Sequence, residues 1–458
     1  MGCVVLLIKK IILQIENNIE AVIAEDTVLG KDLWQILLQQ HPADIAMLIN
    51  KIEDEMQAAL FKKFPQELAI KVFIRLSEEV QAQLLVTLDI AQAADILKNM
   101  HADKLTDLFD YLSDEDLERY LKLLQANQRS KIISLLSFNP HSAGGRMDSD
   151  VLTMQQDFTV KKSIELLQRL TPQKKLLQRI YVTDQQNILA GYITLDMLVL
   201  NKPETLLAQV MNKNELHVYV DEDQEDVANQ MQHYELLSVP VVDKENHFLG
   251  VITADDVYEI IKEEESEDVY KMSGLSPIEH SYFSTPFWKL IWQRSPWLIG
   301  LLLLQSFSSL ILAQYSPLLD KYTIIAIFLT MLIGTGGNAG NQSATLVIRG
   351  LTTREITRQN GYRILMREFG ISLMLALLLV AVGFMRVYYA TYDILSSAAI
   401  SFSLFLIVVT SIILGAFIPI LLERFNIDPA HSAAPFLTTL MDILGVLIYC
   451  FVCSRILG

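Results

Sequence analysis

Residues 322–348 read YTIIAIFLTMLIGTGGNAGNQSATLVI, a run without one charged side chain. A membrane-spanning helix needs about 20 mostly apolar residues, so this segment predicts a span, and an unusual one. Gly336 and Gly340 make a small-xxx-small pattern that lets helices approach closely. On a helix Asn338, Asn341 and Thr345 share one face, with Gln342 beside it. Polar side chains at membrane depth need partners, found in a bundle interior or beside a wet cavity. Interhelical packing accounts for any one of them; together they suggest the lining of a polar path.

Four more apolar runs flank this one. Residues 295–319 and 394–422 carry no charge, 370–392 carry only Arg386, and 429–454 only Asp442. Five such runs are not the buried helices of a soluble core, and they predict an all-α domain of five spans over 287–458. Asp442 is near the middle of 429–454, where an ionised carboxylate costs roughly 2.5–3.5 kcal/mol. With no Lys or Arg in that span, a cation or a proton must offset it; a protonated structural Asp is the bland alternative. Asp428 and His431 stand at the start of the same span, His431 reading as an entrance or interfacial residue. Pro435 can free backbone carbonyls ahead of Asp442. One carboxylate cannot enclose a divalent ion. A homodimer with this span on its twofold axis would pair two Asp442 side chains, and hard oxygen ligands favour Mg²⁺, Ca²⁺ or Mn²⁺.

Lys and Arg placement sets direction. Lys289, Arg294, Arg349, Arg354, Arg358, Arg363, Arg367 and Arg424 fall on one side, against Lys321, Arg386 and Arg455 on the other. The amino-terminal half is therefore expected in the cytoplasm and the carboxyl terminus outside, in a bacterial-type inner membrane. The net charge of −16 comes mostly from residues 1–285, an acidic half unsuited to nucleic acid, whose phosphates attract Lys and Arg. Cys3, Cys450 and Cys453 cannot make a disulfide framework; the last two read as small packing residues in an apolar run.

From 24 to 138 apolar residues recur at threes and fours, in amphipathic stretches such as PADIAMLINKI and QELAIKVFIRL separated by short acidic or Pro-containing turns. This predicts a superhelical stack of short helices. Residues 139–262 hold a duplication: YVTDQQNILAGYITLDML and PVVDKENHFLGVITADDV pair Asp184 with Asp243, Gly191 with Gly250 and Thr194 with Thr253. Each unit reads as strand, turn, strand, then a helix whose opening Thr and Asp can cap its free N–H groups, with an amphipathic helix before it. The two units resemble a tandem pair of cystathionine-β-synthase (CBS) domains, regulatory modules that dimerise and often bind adenine nucleotides or metal ions.

Asp255 to Asp268 then hold eight carboxylates and one Lys in fourteen residues. On a helix Asp256, Glu259 and Glu263 fall on one face, with Glu264, Glu267 and Asp268 farther along. A charge run is usually a solvated face. Here it joins a sensor-like module to the first span, over 263–286, so metal sites are the favoured reading.

The segment GTGGNAGNQSATLVIRGLTTREI, the DPA at 428–430 with Asp442 beyond it, the Gly-Gly-Arg-Met entering the first CBS unit and DDV…EEESEDVYKM together resemble the MgtE family of magnesium channels. The resemblance covers nearly the whole chain. It implies a homodimeric Mg²⁺ channel in the lipid bilayer, with the central hydrated ion held by Asp442; Asn338, Asn341, Thr345 and Asp428 are the further candidates for the pore. It implies closure by Mg²⁺ bound between the helical stack, the CBS pair and the connecting helix. The matching regulatory positions are Glu225, Glu235, Asp256, Glu259, Glu264, Glu267 and Asp268, with Asp103 and Asp107 the candidates on the stack. ATP is an implied ligand of the CBS pair. Ala434 stands where some members have Asn, and Glu235 and Glu259 replace Asp.

Other readings are a transporter of Mn²⁺ or Co²⁺ and a proton-coupled transporter with Asp442 as carrier; the second lacks another intramembrane acid for a relay. No HExxH or GxSxG occurs, and no enzyme is expected.

Overall fold

In the computed structural model the chain forms two compact units, residues 1–262 and 263–458. The structure describes residues 10–170, 179–213, 216–276, 285–353, 355–357, 360–425, 427–429 and 433–458. His431, Arg354, Arg358 and Cys3 lie outside these.

The first unit opens with a stack whose periodicity is tighter than its apolar spacing suggested. Helices begin at Pro42, Asp54, Gln66, Glu78, Ile90, Ala102, Asp114 and Ala126, each twelve residues after the last. The first six repeats bury an apolar pair at their seventh and eighth helical positions, Leu48/Ile49, Leu60/Phe61, Val72/Phe73, Leu84/Leu85, Ile96/Leu97 and Leu108/Phe109, and the last two bury only the seventh, Tyr120 and Ile132. Helices of two or three turns are marginal alone; stacking makes them stable. Pro42–Ile49 packs on Gln66–Phe73, Asp54–Phe61 on Glu78–Thr87, and Ala102–Phe109 on Ala126–Leu135, each helix meeting the one two places on. Tyr120 ties the stack along its length by donating its buried hydroxyl to the Leu85 carbonyl at 2.9 Å.

The duplicated module follows as two three-stranded sheets of identical topology. β1 (Thr153–Gln155) runs parallel to β2 (Ile180–Thr183), which pairs antiparallel with β3 (Leu189–Ile193); β4 (Val218–Tyr219), β5 (Ser238–Val242) and β6 (Phe248–Thr253) repeat this. The backbone keeps the offset of the sequence repeat. Ladder irregularities fall at Val182/Thr183 and Val241/Val242, and the turns place Asn187 at φ 63° and Asn246 at φ 64°. Asp184 and Asp243 form these turns, each Oδ1 accepting two backbone N–H bonds. The expected helix caps differ between units: Thr194 makes no side-chain cap, whereas Thr253 bonds the carboxylates of Asp255 and Asp256. The second unit runs into one unbroken helix, Ala254–Met272.

Among the described residues the second unit contains five helices long and apolar enough to cross a membrane: Phe287–Gln314, Thr323–Thr352, Gly361–Thr391, Ile394–Arg424 and Ala433–Ile456, hereafter spans one to five. Span one ends at Gln314, earlier than its apolar run, because Pro317 starts a separate helix, Ser316–Lys321. Span three begins at Gly361 and so takes in Glu368, an acid that a charge-free window had excluded. Span two packs on spans four and five, span three on span four, and span one on span five. Ser411 donates to the Gly336 carbonyl at 2.5 Å, and a Cβ on Gly415 would strike the Gly340 carbonyl. The small-xxx-small pair is thus the crossing of spans two and four. Buried Tyr449 donates to the Ile325 carbonyl at 2.9 Å, and Cys450 and Cys453 are buried free thiols.

Candidate cation sites

In the first unit four of the expected acids converge. Asp103 and Asp107 project from one face of Ala102–Phe109, being four residues apart. Asp256 and Glu259 lie in the first turns of Ala254–Met272. These four line a cleft with Lys104, Gly145 and Arg146, whose free space of about 10 Å³ suits one water-sized guest. Lys104 Nζ stands 2.5 Å from Glu259 and 3.6 Å from Asp107. Four carboxylates against Lys104 and Arg146 leave a formal surplus of two negative charges, which matches one divalent ion.

The electrostatics are those of crowded, buried acids. Burial pushes the Asp107 carboxyl up to about 7, against the pull of Lys104 and Arg146. Asp103 is raised by burial first and then by the nearby Asp148, and its Oδ1 is buried with no hydrogen-bond partner. Burial also raises Asp256, although Thr253 donates to its Oδ2 from backbone at 2.9 Å and from hydroxyl at 2.6 Å. Lys104 goes the other way: its burial is outweighed by Asp107 and Glu259, and its pKa rises. Hard oxygens, one orphaned, with surplus negative charge, suit a hard dication such as Mg²⁺. Glu225 and Glu235 are exposed and not among the lining residues. Glu235, at φ 49°, ends the Gln224–His233 helix.

In the second unit the connecting helix brings another group together. Lys271 Nζ lies 2.8 Å from Asp428 and 2.9 Å from Glu267. Burial raises Asp268, and the Asp428 charge raises it further. Glu264 is half-buried one turn earlier. Met272, at the end of the helix, packs on Ile348 of span two.

Asp442 is the tenth residue of Ala433–Ile456, roughly 14 Å along it at about 1.5 Å per residue. The Gln305 side chain of span one approaches its carboxylate. On span two Asn341 donates to the Thr438 hydroxyl of span five at 3.0 Å, while its own Oδ1 is buried without a partner. Asn338, Gln342 and Thr345 are exposed on the single chain. Ser343 donates to Glu368 of span three at 2.8 Å.

Several of these residues escaped sequence reasoning. Lys104, Arg146 and Lys271 were passed over because only acids were sought; a lone base among clustered acids was the available signal. Gln305 was visible as a polar residue in a run of leucines. Glu368 was hidden by a window that began after it.

A model of the MgtE divalent cation transporter matches residues 329–452, one of the MgtE intracellular N domain matches 40–141, and one of the CBS domain matches 207–263. The magnesium transporter MgtE of Thermus thermophilus is 34% identical over 340 residues, covering 74% of this chain and 75% of its own. This chain belongs to the MgtE family of magnesium transporters. The MgtE of Enterococcus faecalis is 30% identical, over 71% of each chain. A crystal structure of the cytosolic domain of the Mg²⁺ channel MgtE in complex with ATP is 29% identical, covers 54% of this chain and 99% of that one, and has a TM-score of 0.48. MgtE proteins are membrane transporters, not enzymes, and the five apolar helices and CBS module of this chain accord with that.

Proposed function

We propose that this chain is a Mg²⁺ channel that works as a homodimer, with Asp442 of both copies facing one hydrated ion. The observation that carries the reading is Asp442 itself, a carboxylate midway along an apolar span with the Gln305 amide beside it. The exposed Asn338 and Thr345 on span two support it, since polar groups left uncovered on one chain at membrane depth need water or a second copy. The amino-terminal half is cytoplasmic in this proposal, as the Lys and Arg asymmetry favours.

Closure by cytosolic Mg²⁺ is the second half of the proposal. Asp256 and Glu259 of the cleft and Glu267 and Asp268 of the second group are all carried by one helix, Ala254–Met272. Mg²⁺ held by these carboxylates favours whichever arrangement presents them together, and its differential affinity sets how far the gate shifts. ATP at the CBS pair belongs to the same proposal and rests on the duplicated module.

The test is Mg²⁺ uptake into liposomes by the purified protein. Asp442→Asn is expected to remain folded and lose most uptake, because the amide removes both central charges. Wild-type uptake by Asp442→Ala sinks the pore assignment. Competition by Mn²⁺ or Co²⁺ equal to that by Mg²⁺ favours the broader divalent transporter, and uptake driven by a proton gradient favours Asp442 as a proton carrier.

A further inference from the structure

The geometry points to a second kind of metal site in the first unit: His101, Asp103 and Asp148 form a binding site for a first-row transition-metal dication of the Mn²⁺, Co²⁺ or Zn²⁺ class. One ligand atom from each lies within 4.8 Å of the other two, and His101 Nδ1 is 3.6 Å from Asp148 Oδ2. Ligand atoms about 2.0–2.2 Å from a common ion stand about 3–4 Å apart, so small side-chain rotations close the set. Asp103 is 6% exposed and Asp148 1%. Two carboxylates this buried and this close require a cation or a proton. Asp103 Oδ1 is buried with no hydrogen-bond partner.

The backbone holds these groups in place. Asp148 exchanges two hydrogen bonds with Val251, at 2.9 and 3.0 Å, and Gly250 beside it leaves no room for a Cβ against the Asp148 carbonyl. Its Oδ1 accepts from Asp150 N at 2.8 Å, which leaves Oδ2 toward His101. His101 occupies the N-cap position of its helix and makes no side-chain cap bond. His41, at the same position of an earlier repeat, accepts the Ala43 N–H at 3.2 Å. The His101 ring is thus turned from the helix end to the carboxylates.

An imidazole with two carboxylates suits Mn²⁺, Co²⁺ or Zn²⁺, whereas Mg²⁺ prefers an all-oxygen shell. The site shares Asp103 with the proposed Mg²⁺ cleft but does not rest on that reading, since His101 and Asp148 belong to no Mg²⁺ role.

The experiment uses the full chain in detergent and Mn²⁺ as probe, with Mg²⁺ in large excess. Free Mn²⁺ is followed by its paramagnetic resonance, and bound Mn²⁺ by pulsed measurement of coupling to ligand nitrogen. The expected result is one Mn²⁺ per chain retained against Mg²⁺, with imidazole nitrogen coupling. In His101→Gln the coupling should vanish and Mn²⁺ affinity should fall at least about ten-fold, with a similar fall in Asp148→Asn. Bound Mn²⁺ without nitrogen coupling in the wild type overturns the proposal without recourse to any variant. So does unchanged affinity in His101→Gln. Mg²⁺-driven protection from protease, measured alongside, separates the readings: its absence removes the Mg²⁺ sensor and leaves the nitrogen-coupled Mn²⁺ site standing.

Discussion

The Lys271 ammonium on the connecting helix stands 2.8 Å from the carboxylate of Asp428, in the segment that leads into span five. Within the same cluster Lys271 also reaches Glu267 at 2.9 Å, and Asp268 lies close enough to feel the Asp428 charge. A lysine so placed acts as a tethered cation where a divalent ion is proposed to act.

Lys271→Gln removes that cation and leaves Glu267, Asp268 and Asp428 to repel one another. The expected outcome is tighter Mg²⁺ binding, with half-closure at about two- to five-fold lower Mg²⁺, on the scale of a partly exposed ion pair. Open probability against cytosolic Mg²⁺ in single-channel records checks this. An unchanged midpoint would show that Lys271 only anchors the helix.

Gln305→Leu tests the amide beside Asp442. Loss of the amide leaves the carboxylate less solvated, so Mg²⁺ uptake should fall by about ten-fold, the effect of an unmade bond to a charged group. Thermal stability should be nearly unaffected, because little of span one is buried in the single chain. Uptake at the wild-type rate counts against a role for span one at the ion path.

The crossing of spans two and four predicts a contrast between glycines. Gly415→Val forces atoms against the Gly340 carbonyl and should cost about 1–3 kcal/mol, seen as a smaller yield of folded protein and a lowered unfolding temperature. Gly334→Ala and Gly300→Ala meet nothing within 4 Å and should be neutral in the same assays.

Asp107 gives a pH dependence with a definite sign. Its carboxyl titrates near 7 in the fold against 3.8 as the ordinary value. Between those values the folded chain holds the extra proton, so stability in chelator should fall as pH rises from about 4 to about 7 and level off above. Mg²⁺ binds the ionised form, so its stabilising effect should grow over the same range. Unfolding temperatures across that range, with and without Mg²⁺, measure both, and Asp107→Asn should flatten the first.

Much of this molecule is legible one residue at a time. The five spans follow from apolar runs because hydrocarbon tolerates no unpaired backbone. The CBS-like duplication survives as matched Asp because Asp184 and Asp243 make the same turn twice, as Asn187 and Asn246 show in their φ values. Asp442 announces itself as the one charge in its run. The twelve-residue helical repeat was equally present in the sequence, but its mark is a pair of apolar residues per turn-and-a-half of stack, which ordinary amphipathic spacing imitates.

What only the tertiary structure decided is which groups meet. Asp103 and Asp256 are 153 positions apart and Lys271 and Asp428 are 157 apart, and no local pattern encodes such a pairing. Lys104 faces Glu259, Gln305 faces Asp442, and His101 turns to Asp148 because packed helices and sheet ladders bring distant backbone into register. Charge separations of a few ångström set the electrostatics. Local sequence determines the helices and strands; their packing determines those separations, and with them the cation chemistry.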